Sequence, residues 1–519
     1  MDTNYQEQSH KKRIHNWANT LSIAILSAGI IIIPFLEIIT PLIFGGKTFF
    51  GRSTDFRFVI FVIYWTILSL ILFTLLFFVQ KIINKTWVFD PVIKLAYNSR
   101  ILIVLIILGF SIALIYFLNN VFGSINLSDW KMVINDPFPF YHPVGVDFRF
   151  GVYWFGEKLI RFENIYIDSP SIYPPFSNIL FLPMQLFTEN IAYIVMTFIL
   201  LISNVATMVI TTILIKDIFL SKLRFEQQLI NSYSLLIFFL MLFYTISSYG
   251  FIFSIERGNF DSIAIFFSML SIYLIIKKPS SLWLQVLFSS IATHLKIYPA
   301  ALFLVLFVKH GKKMITPSLI INVLLLVSLG LKNAMLYINV ITHYSLSPGI
   351  WIGNHSGYSF ANELIDVFSE YRHLLPYLRW SFLIIPIIVW IISSSLSIKL
   401  LKNDFRILYL TMVSMPLMCL LPTVSHDYKL VILSVPLLIM ITILIYKIVE
   451  MSKFWDYLHL LSILCCAWLI GRSYVLYQNA GVFINNKYTT ILVFAILMIP
   501  GIFTLRDLQM KNHNYENQY

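Results

Sequence analysis

The sequence predicts an all-α integral membrane protein, with about 12 full transmembrane helices and a short helical hairpin. Three observations predict it. The 519 residues are 58% hydrophobic and 12% charged, with a mean hydropathy of +0.80. A soluble domain is roughly half apolar and a quarter charged, so composition excludes a soluble enzyme, a disordered chain and a disulfide scaffold. Apolar runs of spanning length, roughly 20 residues each, recur along the whole chain. The basic residues also gather in alternate connections between those runs, as the positive-inside rule requires.

In chain order the runs fall at about 17–42, 58–80, 101–122, 190–215, 230–250, 260–276, 315–335, 380–398, 406–423, 430–448, 457–476 and 488–505. The first follows Lys11, Lys12 and Arg13, and it is too long for a signal-peptide core. Two shorter stretches, about 281–294 and 297–308, flank Lys296 and Pro299. Each is too short to cross alone, so they predict a helical hairpin whose break other helices must bury. With the N-terminus in the cytoplasm, the cytoplasmic connections collect 22 of the 37 Lys and Arg. The net charge of +12 is then a matter of topology, and no nucleic-acid partner is needed.

Two long loops face outward in this arrangement, about 123–189 and 336–379. No internal repeat is present. The chain divides into an N-terminal tail with two peripheral spans (1–100), a transmembrane core (101–450) and C-terminal helices with a tail (451–519). Cys419, Cys465 and Cys466 lie in apolar runs and read as small buried hydrophobes.

The first outer loop carries a helical stripe after Asp147. Phe148, Val152, Phe155, Leu159 and Phe162 recur at spacings of four, three, four and three. Such a helix lies flat at the bilayer surface, with Tyr153 and Trp154 at headgroup level. Asp147 then either caps this helix or serves as a general base held at the membrane surface. Tyr173-Pro174-Pro175 forces an extended stretch and starts a new helix, which Pro183 interrupts.

Four further clusters are charged or polar at apolar boundaries. Glu256-Arg257-Gly258-Asn259-Phe260-Asp261 opens a span; it is either a cap with a local ion pair or a set of charges with a task. Lys296 stands in an apolar run after His294, where it either snorkels or binds an anion. Gly353-Asn354-His355-Ser356 lies in the second long loop, and Ser425-His426-Asp427-Tyr428-Lys429 makes a tight outer turn. All fall on the outer side.

One candidate base, a set of cations (Arg257, Lys296, His355, His426, Lys429) and an apolar bundle suit transfer of a sugar from a lipid phosphate. The acceptor hydroxyl needs a carboxylate to take its proton. The leaving phosphate needs no acid, but its growing charge needs cations in a low-dielectric site. Asp129, Asp136 and Asp147 are too widely spaced for a metal-binding DxD pair, and no glycine-rich phosphate cradle is present. The expectation is therefore no metal and no cofactor. A transporter or flippase is the competing class, and a lipid-linked polysaccharide polymerase is a third.

Gly145-Val146-Asp147-Phe148, Tyr153, Tyr166 and Tyr173-Pro174-Pro175 resemble the first outer loop of glycosyltransferase family 87. These are polytopic C-type glycosyltransferases, similar to polyprenyl-phosphate-mannose-dependent α-mannosyltransferases. The family's later motifs have counterparts at Gly258-Asn259, at Lys296 with Pro299, at Asn354-His355-Ser356 and at His426 to Tyr428. The resemblance covers roughly 145–430. His355 stands where the family usually has Gln, and Glu256-Arg257 is more charged than its usual pattern.

The resemblance implies Asp147 as the catalytic base. It implies substrate contacts from Tyr153, Tyr173, Glu256, Arg257, Asn259, Lys296, Asn354, His355, His426 and Lys429. It further implies a polyprenyl-phosphate sugar donor, a glycan or glycolipid acceptor, and an inverting hexosyl transfer. The enzyme would be a multi-pass protein of the plasma or inner membrane, with its active site facing the periplasm or exterior.

Overall fold

The computed structural model describes residues 145–220 except 169, 248–346, 353–451, 454–471 and 486–516, with a helical piece at 66–76 and isolated positions at 21, 24, 25, 28, 238, 244 and 245. The predicted spans at 17–42 and 101–122, and most of 58–80 and 230–250, lie outside these residues. The chain falls into two compact units, one of Met1–Val144 with Thr212–Ser247 and one of Gly145–Thr211 with Ser248–Tyr519. In the first, Thr66–Leu76 is a short apolar helix. Every candidate site residue belongs to the second.

Among the described residues the secondary structure is helical, as the composition predicts. Among the described residues, four helices are long and apolar enough to cross a membrane: Glu189–Ile218, Ser369–Leu400, Asp427–Ile445 and Tyr488–Asp507. A fifth span is available if Tyr298–Leu326 and Leu331–Ser345, bent by 93°, are counted as one. The described residues thus do not support the expected dozen spans. Asp261–Lys277 and Phe454–Ile470 have 17 residues each, and the apolar run at 315–335 breaks at Gly330, where φ is 90°.

The helix of the 123–189 segment, α1, runs over 146–160, with a π turn at Arg149–Tyr153. Phe148, Val152 and Phe155 are buried as the stripe predicts, but Phe162 is 97% exposed. The helix has already ended at Ile160, so the last member of the stripe lies beyond it. The N-cap position belongs to Gly145, with no side-chain cap; Asp147 is therefore not the cap. Phe155 packs with Ile165, Tyr166 and Tyr337, each fully buried apolar side chain contributing roughly 1.5–3 kcal/mol. Pro175–Leu180 follows as α2 with Pro at its first turn, and Leu182–Leu186 is a 3-10 turn containing Pro183.

Glu189–Ile215 (α3) leads to Tyr249–Arg257 (α4) and Asp261–Lys277 (α5). The predicted hairpin is present as Leu282–Leu295 (α6) and Phe303–His310 (α7), joined through a 3-10 turn at Tyr298–Leu302. The two run antiparallel, since Gln285 near the start of α6 meets His310 at the end of α7, Nε2 to Oε1 2.6 Å. Ser271 of α5 closes the other face of α6, donating to the Gln285 carbonyl at 2.7 Å.

Ile315–Leu326 (α8) turns sharply into Leu331–Leu346 (α9), so the start of the expected 336–379 loop is helix. Gly357–Val367 (α10), Leu375–Leu400 (α11), Asn403–Leu420 (α12), Ser434–Met451 (α13), Phe454–Ile470 (α14) and Tyr488–Glu516 (α15) complete the unit. Residues 407–420 of α12 are buried on every face, which is how a uniformly apolar helix survives at the centre of a bundle. All three cysteines are free; Cys419 and Cys466 are buried, but Cys465 is exposed.

Candidate active site

Asp147 sits at the start of α1, against the end of α4. Arg257 donates to Asp147 Oδ1 from Nη2 at 2.7 Å and from Nε at 3.1 Å, and Asn259 Nδ2 donates to Oδ2 at 3.1 Å. Local sequence explains the meeting. Gly258 ends α4 in the left-handed region, φ 65°, where glycine is unstrained. Asn259 N and Gly258 N then satisfy the Ser254 and Ile255 carbonyls, each at 2.9 Å. A Cβ on Gly258 would lie 2.6 Å from Phe148 Cβ, so only glycine lets α4 approach α1 this closely. Tyr193 fastens the corner, donating to the Ile255 carbonyl at 2.8 Å and packing on Phe148.

Burial pushes the Asp147 carboxyl up, but the Arg257 guanidinium and the hydrogen bonds from Arg257 and Asn259 outweigh it and hold the group below its ordinary value. Asp147 is therefore ionised at neutral pH. Its Oδ2 keeps one acceptor site beyond the Asn259 bond, and the residue lines a cavity of about 370 Å³ with Phe150, Trp154 and Tyr173.

A second cavity of about 570 Å³ lies on the other side of Tyr173, which lines both. Its walls are mainly apolar, with Leu295, Ile341, Trp390 and Leu417 among them, and Lys296 and Lys429 supply its cations. Lys296 does not simply snorkel. Its side chain is 10% exposed and its Nζ is 3.3 Å from Oδ2 of the fully buried Asp261. The ammonium also lies over the rings of Phe260 at 4.5 Å and Tyr173 at 4.8 Å. Tyr298 donates to Asp261 Oδ1, and Lys429 donates to the Val424 carbonyl. The Asp261 carboxyl, itself bonded by the Tyr298 phenol, fixes the lysine at the cavity wall.

The 353–356 and 425–429 segments meet at an isolated antiparallel bridge between Asn354 and His426 and through further bonds around it. Asn354 Oδ1 accepts from Ser425 N at 2.8 Å, and its Nδ2 donates to the Thr423 carbonyl at 3.1 Å. His355 is fully buried; its Nε2 donates to Asp427 Oδ1 at 3.0 Å and its Nδ1 accepts from Lys487 N at 3.2 Å. Lys487 Nζ completes the group, 2.9 Å from the same Asp427 oxygen. His355 and Asn354 line neither cavity. His426 packs on Tyr428. Burial pushes its imidazole down to about 3, so it is neutral at pH 7. Tyr153 donates to the Phe187 carbonyl at 3.0 Å and supports α1 from behind. The side chain of Glu256 lies outside the described residues.

The structure thus gathers Arg257 and Asn259 on Asp147, which lines one cavity, and places Lys296 and Lys429 at the other, with Tyr173 lining both. Sequence reasoning missed Asp261, Tyr298, Asp427 and Lys487 as partners of the chosen residues. Asp261 had a signal, since it sits two residues after Asn259 at the start of an apolar helix. Lys487 had a weaker one, a lone lysine directly before an apolar run.

The family model of Glycosyltransferase family 87 matches residues 172–391. The matched stretch takes in Tyr173, Arg257, Asn259, Asp261, Lys296, Tyr298 and the 353–356 segment; Asp147, His426 and Lys429 lie outside it. The match indicates a membrane glycosyltransferase. No curated protein matches the chain.

Proposed function

We propose that this protein moves a hexose, mannose-like, from a polyprenyl-phosphate sugar to an acceptor glycan or glycolipid on the non-cytoplasmic face of the cell membrane. One observation carries the reading: an apolar cavity with two lysines and a smaller cavity with an ionised carboxylate share Tyr173 as a common wall. The prenyl chain takes the apolar cavity, and the phosphate meets Lys296 and Lys429. The acceptor hydroxyl takes the smaller cavity beside Asp147.

In the reaction the acceptor oxygen attacks the anomeric carbon while the bond to the phosphate oxygen breaks. The bonding pair leaves with the phosphate, and the hydroxyl proton passes to Asp147. The lysines stabilise the charge that grows on the leaving oxygen. A single base without a nucleophilic partner favours direct displacement, so the anomeric centre inverts. Arg257 and Asn259 orient the carboxylate, and Asn354, His355 and His426 hold the turn that carries Lys429.

The test uses the full chain in lipid nanodiscs with farnesyl-phosphate mannose and farnesyl-phosphate glucose as donors and an alkyl mannoside as acceptor. Acceptor-dependent release of farnesyl phosphate, insensitive to chelators and yielding the inverted anomer, is expected. If neither donor binds nor releases farnesyl phosphate, the reading is wrong.

A further inference from the structure

The reaction needs a place for the hexose itself. It must sit between the cation that holds the phosphate and the base that receives the proton, because the two oxygens on the anomeric carbon are entering and leaving on opposite sides. Three tyrosines border that place. Tyr173, Tyr344 and Tyr428 all line the apolar cavity near Lys296. Tyr173 and Tyr428 lie 4.8 and 5.7 Å below the Lys296 ammonium, measured from ring centroid to Nζ. Tyr344, on α9, is within electrostatic range of both Lys296 and Asp147.

Their hydroxyl groups differ from most others in the fold. Tyr166, Tyr193 and Tyr488 donate to backbone carbonyls at 2.9, 2.8 and 2.5 Å. Tyr298 donates to a carboxylate. Buried phenols ordinarily find such partners. Tyr337 is an exception, sealed in the apolar cluster under α1. Among the described residues, the hydroxyls of Tyr173, Tyr344 and Tyr428 have no hydrogen-bonding partner, although the rings of Tyr173 and Tyr428 are well held. Tyr173 packs on Phe260 at 4.7 Å and Tyr428 stacks on Phe253 at 6.1 Å. Three phenols on the wall of a mainly apolar cavity present a ready set of donors and acceptors.

We infer that Tyr344 and Tyr428, with Tyr173, form the hexose subsite and choose among sugars by hydrogen-bonding the hydroxyls of the ring. The inference rests on the donor reading above and extends it to Tyr344, which no motif singled out, and to a sugar-contacting role for Tyr428. Selectivity follows from geometry. A phenol placed to meet an axial hydroxyl loses its partner when that hydroxyl is equatorial, and an unpaired polar group in a desolvated site is expensive.

The experiment compares equilibrium binding of farnesyl phosphate, farnesyl-phosphate mannose and farnesyl-phosphate glucose to the full chain in nanodiscs, for wild type, Tyr344→Phe and Tyr428→Phe. Each substitution removes one oxygen and keeps the ring. Loss of about three- to tenfold in affinity for at least one hexose donor is expected, the range for one neutral hydrogen bond. Binding of farnesyl phosphate should not change, and the mannose-to-glucose ratio should shift. Wild-type affinity for both hexose donors in both variants overturns the inference. Equal loss for farnesyl phosphate and the hexose donors also overturns it, because the contact would then be to the phosphate. If the wild type binds none of the three, the donor reading itself falls, an outcome distinct from the other two.

Discussion

Two aspartates in this protein are held by nearly the same chemistry and yet sit in opposite circumstances. Asp147 receives a guanidinium and an amide; Asp427 receives an imidazole and an ammonium. The Asp427 group is sealed, with His355 and Asp427 side chains at 0% exposure. The Asp147 carboxylate is 18% exposed and opens on a cavity. Ion pairing alone therefore says little about function. A closed set of charges and donors works as a clasp, tying the 353–356 loop, the 425–429 turn and the start of α15 together. An open set keeps an acceptor site for a proton.

The largest effects should come from making the same change in both places. Asp147→Asn preserves shape and removes the base, so turnover should fall by about 10²–10⁴-fold, with a smaller fall in melting temperature than the buried site gives, because the Arg257–Asp147 pair is partly exposed. Asp427→Asn strands the buried Lys487 ammonium and should cost on the order of 3–5 kcal/mol of stability, read as a lowered thermal midpoint in detergent. Near-normal turnover in the first, or an unshifted midpoint in the second, would erase the distinction.

A smaller effect should separate Lys296 from both. Its pairing with Asp261 holds it at the cavity wall, so Lys296→Met removes a charge that the donor meets in the ground state and more strongly as the bond breaks. A rise in KM together with a fall in kcat is expected, about 10- to 100-fold in kcat/KM for a charge-assisted contact of roughly 1.5–3 kcal/mol. A change in the thermal midpoint with unaltered kinetics would make Lys296 another clasp.

Much of the open set was legible in the sequence, and little of the closed one. Asp147, Arg257, Asn259 and Lys296 interrupt apolar patterns, and a charge at an apolar boundary announces itself. The stripe from Phe148 to Leu159 fixed which face of α1 turns inward, because the 3.6-residue period is a local property. The clasp was not legible, since His355, Asp427 and Lys487 are separated by 72 and 60 residues and their meeting depends on how helices pack. Among the described residues the spans are fewer than hydropathy suggested, for a related reason. Hydropathy counts apolar residues without seeing where a helix bends, and the 93° turn between α8 and α9 converts part of one apparent span into a helix that lines a cavity.

The smallest expected effect concerns Arg257, for which the sequence suggested a phosphate contact and the structure shows a bond to Asp147. The two roles differ in their pH dependence. Asp147 is held below its ordinary value of 3.8. A depressed carboxyl stays ionised as pH falls, and the activity and stability that depend on it are lost only below that value. The wild type should therefore show no acid limb from Asp147 between pH 7 and 5. In Arg257→Gln the guanidinium is gone and burial dominates, so the carboxyl rises. The acid limb of kcat should move up by about one to three pH units, while turnover at pH 7 to 8 changes little. A phosphate-binding Arg257 predicts otherwise: affinity for farnesyl-phosphate mannose falls about equally at every pH, and the limb stays where it was.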